Sequence, residues 1–321
     1  MMLGPLIIGI KGTALSDSEK VLLQAPLIGG VILFARNYSD KAQLRALVAE
    51  IKALRNPPLW VAVDHEGGRV QRFINGFIRI PDMGQLGLLY EQDSAAALAQ
   101  TQKWGLTMAQ ELLAVGVDMS FAPVVDLNKD KAKVIGNRSF HRDPKVVAIL
   151  AEAWCRGVHH AGMKTCGKHF PGHGEVTVDS HEGLPIDLRD YDHIVVDDLV
   201  PFQQLIQAGA LDSIMPAHII FPKVDDKPAG FSKIWLDNIL RKECRFKGVV
   251  ISDDLGMGGA AGMGDYPERF GKALEGGCDL ALLCNDHPGI AELVAKTPAN
   301  PSHDRSLQIA ALYGNNVTVG S

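Results

Sequence analysis

Short apolar runs alternate along the chain with longer stretches in which apolar residues recur every three or four positions. A buried strand reads as a short continuous apolar run, whereas one face of a helix repeats with a period of about 3.6 residues. The pattern therefore predicts both kinds of element in alternation. The predicted strands are Leu6–Ile10, Gly30–Phe34, Leu59–Val63, Met119–Pro123, Met163–Gly167, Ser213–Pro216, Gly248–Ser252 and Asp279–Leu283.

Most of the stretches between these strands carry a helical stripe that begins at a capping residue. An aspartate or serine at such a position accepts hydrogen bonds from the free amides of the first helical turn. The predicted helix starts are Ser39 or Asp40, Asp93, Asp143, Ser232 and Asp265. Further helices are predicted over Leu199–Ala208 and near the end of the chain.

Eight strand–helix units in strict alternation predict a (β/α)8 barrel of the TIM type, an α/β fold. No Ser/Gly-rich linker interrupts the chain, so we expect one catalytic domain over residues 1–321. The alternative is an open doubly wound sheet. Its dinucleotide-binding form needs a glycine fingerprint after the first strand, and Gly9–Gly12 does not match it.

The composition of the chain excludes some classes of binding partner and indicates a cellular compartment. The net charge is −5 with both signs interspersed, which argues against nucleic acid and against an anionic membrane surface. No apolar run is long enough to span a bilayer, and residues 1–10 resemble a first strand more than a signal peptide. The five cysteines are odd in number and show no metal-ligand spacing, so we expect a reduced, cytoplasmic protein.

Titratable and polar residues stand at or just past the ends of the predicted strands. In barrels of this type the chemistry lies at the carboxyl ends of the strands. Polar loops alone would explain some of these residues, but not carboxylates and imidazoles after so many strands. The residues are Asp64, His65, Asp126, Lys168, His169, His218, Asp253, Asp254 and Asn285.

The densest group of such residues is Lys168–Gly174, followed by Asp179-Ser180-His181. Its glycines and proline predict a loop from Lys168 onward. A carboxylate two residues from an imidazole can hold the tautomer of the ring and raise its basicity. The segment is therefore a candidate catalytic loop.

Asp253 and Asp254 end the seventh predicted strand. Side chains alternate along a strand, so the two carboxylates face opposite ways. Asp253 is the better candidate for the mouth of the barrel, and Asp254 is expected to cap the turn or orient a neighbour.

Four motifs together are specific: Val63–Arg72, Lys168–Gly174, Asp179–His181 and Ile251–Met257. In this order they resemble the β-N-acetylhexosaminidases of glycoside hydrolase family 3, and most closely the short, single-domain bacterial members that act in peptidoglycan recycling. The resemblance runs from the first strand to about Asn285.

The resemblance implies a retaining exo-enzyme that removes terminal β-linked N-acetylglucosamine from peptidoglycan fragments. It implies Asp253 as the nucleophile and His181, paired with Asp179, as the acid/base. The residues implied to hold the sugar are Asp64, Arg72, Arg138, Lys168 and His169. No cofactor or metal is expected, and the partner is a small saccharide or muropeptide bound by a monomer.

Three alternatives stay open. A metal-dependent barrel hydrolase could use His169, His173, Asp179 and His181 as ligands, although the first strand lacks the usual His-x-His. A non-catalytic sugar-binding barrel would need neither Asp253 nor the Asp–His pair. A substrate-assisted hexosaminidase would use Asp253 and Asp254 as a carboxylate pair, which strand alternation disfavours.

Overall fold

Eight parallel strands form one sheet in this protein. A computed structural model describes residues 2–177, 183–298 and 303–313. Numbered along the chain, the strands are β1 (Leu6–Gly9), β2 (Ile28–Leu33), β3 (Trp60–Val63), β4 (Met119–Ser120), β5 (Cys166–Phe170), β6 (Ser213–Pro216), β7 (Val249–Asp254) and β8 (Leu280–Leu283). Their order is β4-β3-β2-β1-β8-β7-β6-β5, and every neighbouring pair is parallel.

The two strands at the ends of that order, β4 and β5, meet and nearly close the sheet into a barrel. Parallel bridges join Met119 to Lys164 and Val124 to Lys168. The amide of Val125 also donates to the carbonyl oxygen of Lys168 at 2.7 Å. The predicted (β/α)8 barrel is therefore confirmed, and the open doubly wound sheet is excluded.

Helices connect the strands, as the alternating pattern predicts. They are α1 (Asp17–Leu23), α2 (Lys41–Ala53), α3 (Met83–Gln92), α4 (Ser94–Leu113), α5 (Pro144–His160), α6 (Tyr191–Val195), α7 (Leu199–Gln207), α8 (Tyr266–Gly276), α9 (His287–Lys296) and α10 (His303–Ala310). A helix with π-type hydrogen bonding spans Ile234–Glu243. Two short hairpins pair His65–Gly67 with Val70–Gln71, and Ile220–Phe221 with Asp225–Pro228.

The predicted caps are confirmed. The side chains of Asp40, Asp93, Asp143 and Asp265 each accept a hydrogen bond from a first-turn amide, and Ser232 accepts one from the amide of Trp235. The sequence pattern missed α1, α3 and α6. Helices α1 and α6 have 7 and 5 residues, and α3 ends at Gln92, directly before Asp93, which caps α4.

The prediction of a loop from Lys168 onward is wrong for three residues. Strand β5 pairs with β6 from Cys166 to Phe170, so Lys168 and His169 lie inside the barrel wall. The glycine before them, Gly167, is paired with Ile214 in the sheet. The loop begins only at Pro171, the first residue here that lacks an amide hydrogen for the sheet.

Two features bear on the compartment and the environment of the protein. All five cysteines are free thiols. In the part of the chain that the structure describes, no helix is long and apolar enough to cross a membrane. The cytoplasmic location stays a prediction.

A cluster of polar contacts around Asp212 joins the start of β6 to the start of β5. One carboxylate oxygen lies 2.7 Å from Nε2 of His159, and the other accepts from Lys164 at 3.0 Å. Burial opposes the ionisation of Asp212, but hydrogen bonds from His159, the Thr165 amide and Lys164 outweigh it and lower its pKa to about 2. The cluster lies at the end of the barrel opposite the carboxyl ends of the strands.

We expect Asp212→Asn to lower the free energy of unfolding by about 2 kcal/mol at pH 7. The folded pKa is depressed, so this stability is present above the unfolded pKa of about 3.9 and is lost as the pH falls toward 2. Urea unfolding of both proteins at pH 7 and pH 3 measures the difference, which should shrink by roughly half at pH 3. A difference that is the same at both pH values would contradict the account.

Candidate active site

A cavity of about 250 Å³ opens among the carboxyl ends of the strands. Side chains from the segments that follow β2, β3 and β4 line it, together with residues of β5 and β7. Acidic and basic groups are mixed in its wall. The ionisable residues among them include Asp64, Glu66, Arg69, Arg72, Arg138, Lys168, His169, Asp253 and Asp254.

The structure brings the predicted sugar-binding residues together. Asp64, Arg72, Arg138, Lys168 and His169 all line this one cavity with Asp253, although they come from segments far apart in sequence. The other two predicted site residues, Asp179 and His181, lie outside the described residues. The segments that flank them, up to residue 177 and from residue 183, are described.

Lys168 is the centre of a buried ionic network. Its ammonium lies 2.7 Å from Oδ1 of Asp64 and 2.7 Å from Oε1 of Glu66. Glu66 also accepts two hydrogen bonds from Arg138, both at 2.8 Å, in a bidentate arrangement. Such a fork fixes the plane of the guanidinium as well as its distance. The network therefore holds two cations rigidly in the cavity wall.

The protonation states within this network follow from its pairing. Burial alone would raise the pKa of Glu66, but Arg138 and Lys168 outweigh it and hold that pKa well below its usual range. Burial would lower the pKa of Lys168, and the carboxylates of Asp64 and Glu66 raise it instead. Glu66 is thus ionised at neutral pH and is a poor proton donor.

Arg72 and Phe34 form the part of the wall next to Asp64. One guanidinium nitrogen of Arg72 lies 3.6 Å from Oδ2 of Asp64. The same guanidinium stands 5.7 Å from the centre of the Phe34 ring, and Arg36 covers that ring at 4.4 Å. Cation–π contact of this kind holds a guanidinium in place without neutralising it. Asp64 and Phe34 together therefore hold the guanidinium of Arg72 in the cavity wall.

His169 is held from behind by Asp126. Nδ1 of the ring lies 2.7 Å from Oδ2 of Asp126, and Oδ1 of the same carboxylate accepts from the amides of His169 and His173. Burial would raise the pKa of Asp126, but the neighbouring His169 and His173 lower it. The carboxylate is therefore an ionised acceptor at the back of the cavity.

The two aspartates at the end of β7 differ in their surroundings. Oδ1 of Asp254 accepts from the amide of Gly256 at 2.9 Å and from the amide of Cys284 at 3.1 Å. This confirms the expected turn-capping role of Asp254. Burial raises the pKa of Asp254 despite these hydrogen bonds. Oδ1 of Asp253 accepts from the amide of Asp254 at 2.8 Å.

Three residues that follow strands do not line the cavity. His65 is buried against Phe73 and Phe77, and burial lowers its pKa to about 3. Nε2 of His218 donates to the carbonyl oxygen of Asp254, 3.1 Å away. Asp126 is 1% exposed and contacts the ring of His169. The alternation of side chains along a strand explains why some strand ends point away from the mouth.

Glu66 lines the cavity, and the sequence pattern does not predict it as a site residue. It follows Asp64 by two positions, and that spacing is the one local signal that could have indicated a shared face. Its partners Arg138 and Lys168 lie 72 and 102 positions further along the chain, and no local pattern connects them.

We expect Glu66→Gln to lower the free energy of unfolding by about 3 kcal/mol, because it leaves Arg138 and Lys168 buried with one carboxylate fewer. Chemical denaturation at pH 7 measures the loss. Glu50→Gln is the matched control, since Glu50 pairs with Lys20 on the surface, and it should change stability little. Equal effects of the two substitutions would contradict the role of Glu66.

A metal site finds no support in the described residues. In residues 2–177, 183–298 and 303–313, no three His, Cys, Asp or Glu side chains are grouped so that they could hold a metal ion. Two of the four ligands of the metal alternative, Asp179 and His181, are outside these ranges. The remaining two, His169 and His173, have ring centres 5.8 Å apart.

The chain matches one protein family over most of its length. Residues 6–303 match the glycosyl hydrolase family 3 N terminal domain. A Beta-hexosaminidase of Nitrosospira multiformis is 52% identical over 294 residues, which cover 92% of this chain and 84% of that protein.

Solved structures agree with this match. NagZ from Neisseria gonorrhoeae, in complex with N-trifluoroacetyl-D-glucosamine, superposes with a TM-score of 0.92 at 47% identity and covers 98% of this chain and 91% of its own. A glycoside hydrolase family 3 beta-N-acetylglucosaminidase from Paenibacillus sp. has a TM-score of 0.87 at 32% identity, over 99% of this chain and 63% of its own.

Proposed function

Because the chain belongs to glycosyl hydrolase family 3, we propose that it is a retaining exo-β-N-acetylglucosaminidase acting on peptidoglycan fragments. The enzyme class, a glycoside hydrolase of the β-hexosaminidase type, follows from relatives at about half identity over most of the chain. The retaining mechanism, the roles of individual residues and the peptidoglycan substrate are the parts that we propose.

The observation that carries the proposal is the position of Asp253. It is the last residue but one of β7 and lines the same cavity as Asp64, Lys168 and Arg138, side chains suited to holding sugar hydroxyls. The related NagZ is described in complex with N-trifluoroacetyl-D-glucosamine, a close analogue of N-acetylglucosamine. A cavity of about 250 Å³ is suited to one terminal sugar, as an exo-acting enzyme requires.

In the proposed first step, a carboxylate oxygen of Asp253 attacks the anomeric carbon. A covalent glycosyl-enzyme forms, and the bond to the leaving sugar breaks. Water then attacks the anomeric carbon from the face opposite Asp253, which the leaving sugar has vacated, and releases the carboxylate. The two inversions together retain the configuration. Asp254 is less suited to this role because burial raises its pKa, which disfavours the ionised carboxylate that a nucleophile needs. Its Oδ1 also caps the turn by accepting from the amides of Gly256 and Cys284.

The proposed acid/base is His181. It protonates the leaving oxygen in the first step and removes a proton from water in the second. An imidazole with an ordinary pKa of about 6.5 can do both near neutral pH. Asp179, two residues earlier, is proposed to hold the ring in the tautomer that the reaction needs.

The proposed substrate is N-acetylglucosaminyl-anhydro-N-acetylmuramic acid, with or without its peptide, met in the cytoplasm. The resemblance to peptidoglycan-recycling enzymes supports this substrate, and five free cysteines fit a reducing compartment. The protein is proposed to act as a monomer without a cofactor.

We expect the protein to hydrolyse a 4-nitrophenyl β-N-acetylglucosaminide after exhaustive chelation, at the rate of the untreated enzyme, since no step uses a metal. Released nitrophenol and the metal content of the purified protein are measured together. The matching glucoside, which lacks the acetamido group, serves as the control substrate.

Each outcome bears on one alternative. Loss of activity on chelation, with recovery on adding zinc, would replace the proposal with a metal-dependent hydrolase. Binding of the glycoside without turnover would indicate a non-catalytic sugar-binding barrel.

A further inference from the structure

Asp126 uses both of its carboxylate oxygens on the residues that shape one side of the cavity. Oδ2 lies 2.7 Å from Nδ1 of His169, and Oδ1 accepts from the amides of His169 at 3.1 Å and His173 at 2.8 Å. The residue is 1% exposed, so the ring of His169 covers it from the cavity. Asp126 itself reaches no ligand.

These contacts determine which ring nitrogen of His169 donates a hydrogen bond and which accepts one. A carboxylate whose pKa is lowered by its neighbours His169 and His173, against the effect of burial, can only accept hydrogen bonds. Nδ1 of His169 must then carry the hydrogen. In a neutral imidazole the second nitrogen, Nε2, is left with a lone pair and accepts.

An acceptor on His169 matters because several other polar groups in the cavity are donors. Lys168, Arg138 and Arg72 line the cavity and are donors only. Under the proposed function they donate to the oxygen atoms of sugar hydroxyls. A hydroxyl that accepts a hydrogen bond from a cation can still donate its own hydrogen to an acceptor. Asp64 provides one acceptor for such hydrogens, and an acceptor on His169 would provide another.

We propose that Asp126 is a positioning residue that fixes the Nδ1–H tautomer of His169 and so makes Nε2 a hydrogen-bond acceptor for a hydroxyl of the bound sugar. This inference rests on the proposed function for the identity of the ligand. The tautomer itself is a property of the unliganded protein and can be measured without turnover.

The first experiment is nitrogen NMR of protein labelled with 15N at histidine, at pH 8. The signals that disappear in His169→Gln identify this residue among the 11 histidines. The expected result is a neutral ring protonated at Nδ1. A ring protonated at Nε2, or at both nitrogens, would overturn the proposal whether or not the protein is a glycosidase.

The second experiment uses aryl N-acetylglucosaminides in which the 3-, 4- or 6-hydroxyl is replaced by hydrogen or by fluorine. Fluorine can accept but cannot donate. At the position that contacts His169, both replacements should lower kcat/KM by on the order of tenfold to a hundredfold, because Nε2 loses its donor in both. A position is sensitive if replacing its hydroxyl by hydrogen lowers kcat/KM. If the fluorine analogue were as active as the parent at every sensitive position, the protein would be the donor there, and the proposal would be overturned.

Asp126→Asn reverses the polarity while keeping the shape. The amide oxygen can still accept from the two backbone amides, and the amide NH2 donates to Nδ1, which places the hydrogen on Nε2. The variant should lose about tenfold in kcat/KM on the parent glycoside. Replacement of the hydroxyl that contacts His169 should also lower kcat/KM much less in this variant than in the wild-type protein. Each substrate is compared between the two proteins, so that the electronic effects of fluorine cancel.

Asp118→Asn is the matched control for structural damage. Asp118 is equally buried and bonds to Lys52 and the amide of Val61, outside the residues that line the cavity. Its substitution should leave the hydroxyl preferences unchanged. If Asp126→Asn lowered activity with all substrates in parallel, Asp126 would have a structural role only. If that variant did not fold, the tautomer and the fluorine series of the wild-type protein would still decide.

Discussion

Asp253→Ala should abolish turnover while the protein stays folded and still binds sugar. In the proposed mechanism Asp253 forms the covalent bond of the first step, so its removal should act on the chemistry and not on the cavity. Losses for nucleophiles in other hydrolases suggest a fall in kcat on the order of 10⁵-fold or more. The proposed binding residues Asp64, Lys168 and Arg138 should keep their ion pairs in this variant, because Asp64 and Glu66, and not Asp253, are the partners in these pairs.

The measurement is kcat with an aryl N-acetylglucosaminide, beside calorimetric titration with N-acetylglucosamine. Asp226→Ala, an exposed aspartate in the hairpin after β6, is the control and should keep the wild-type rate. Hydrolysis by Asp253→Ala at the wild-type rate would remove Asp253 from the mechanism. It would revive the substrate-assisted alternative, in which the acetamido group is the nucleophile.

The effect of His181→Ala should depend on the leaving group. A sugar hydroxyl must be protonated as its bond breaks, whereas a nitrophenolate leaves nearly unaided. We therefore expect a loss on the order of 10³-fold for the proposed disaccharide substrate and a far smaller one for formation of the glycosyl-enzyme from an aryl glycoside. Hydrolysis of that intermediate then becomes limiting, since the same histidine is the base for water.

Azide, a nucleophile that needs no base, should speed this second step in His181→Ala. Asp179→Ala should show a milder form of the same pattern, because Asp179 orients the ring and does not transfer the proton. His160→Ala, an exposed histidine at the end of α5, is the control and should behave as wild type. Burst and steady-state kinetics separate the two steps.

Equal slowing of both substrates, with no effect of azide, would make His181 a sugar-positioning residue. The proton donor would then have to be another carboxyl. Glu66 and Asp126 are poor candidates because their neighbours lower their pKa values. Asp254, whose pKa burial raises, would be the one to test.

The architecture could be predicted from the sequence because it depends on local patterns. Each apolar run of the barrel is buried in the structure, and each predicted cap from Asp40 to Asp265 binds first-turn amides. The convergence of polar residues followed from one topological fact, that parallel strands place their carboxyl ends on the same face.

The features that could not be predicted from the sequence depend on contacts between distant segments of the chain. No sequence pattern near Glu66 predicts its ion pairs with Arg138 and Lys168. Likewise, no pattern near His65 predicts that two phenylalanines pack against it. Strand β5 extends to Phe170 because β6 pairs with it there, which a reading of its glycine alone could not show. Asp179 and His181 stay predictions from the motif.

The central claim, a covalent intermediate on Asp253, is tested most directly by trapping it. The protein is incubated with a slow fluorinated N-acetylglucosamine substrate, and the intact protein and its peptides are then weighed. The account predicts one sugar per chain, attached to the peptide that contains Asp253, and no adduct in Asp253→Ala. An adduct on another residue, or turnover of the substrate with no adduct at any time, would contradict it.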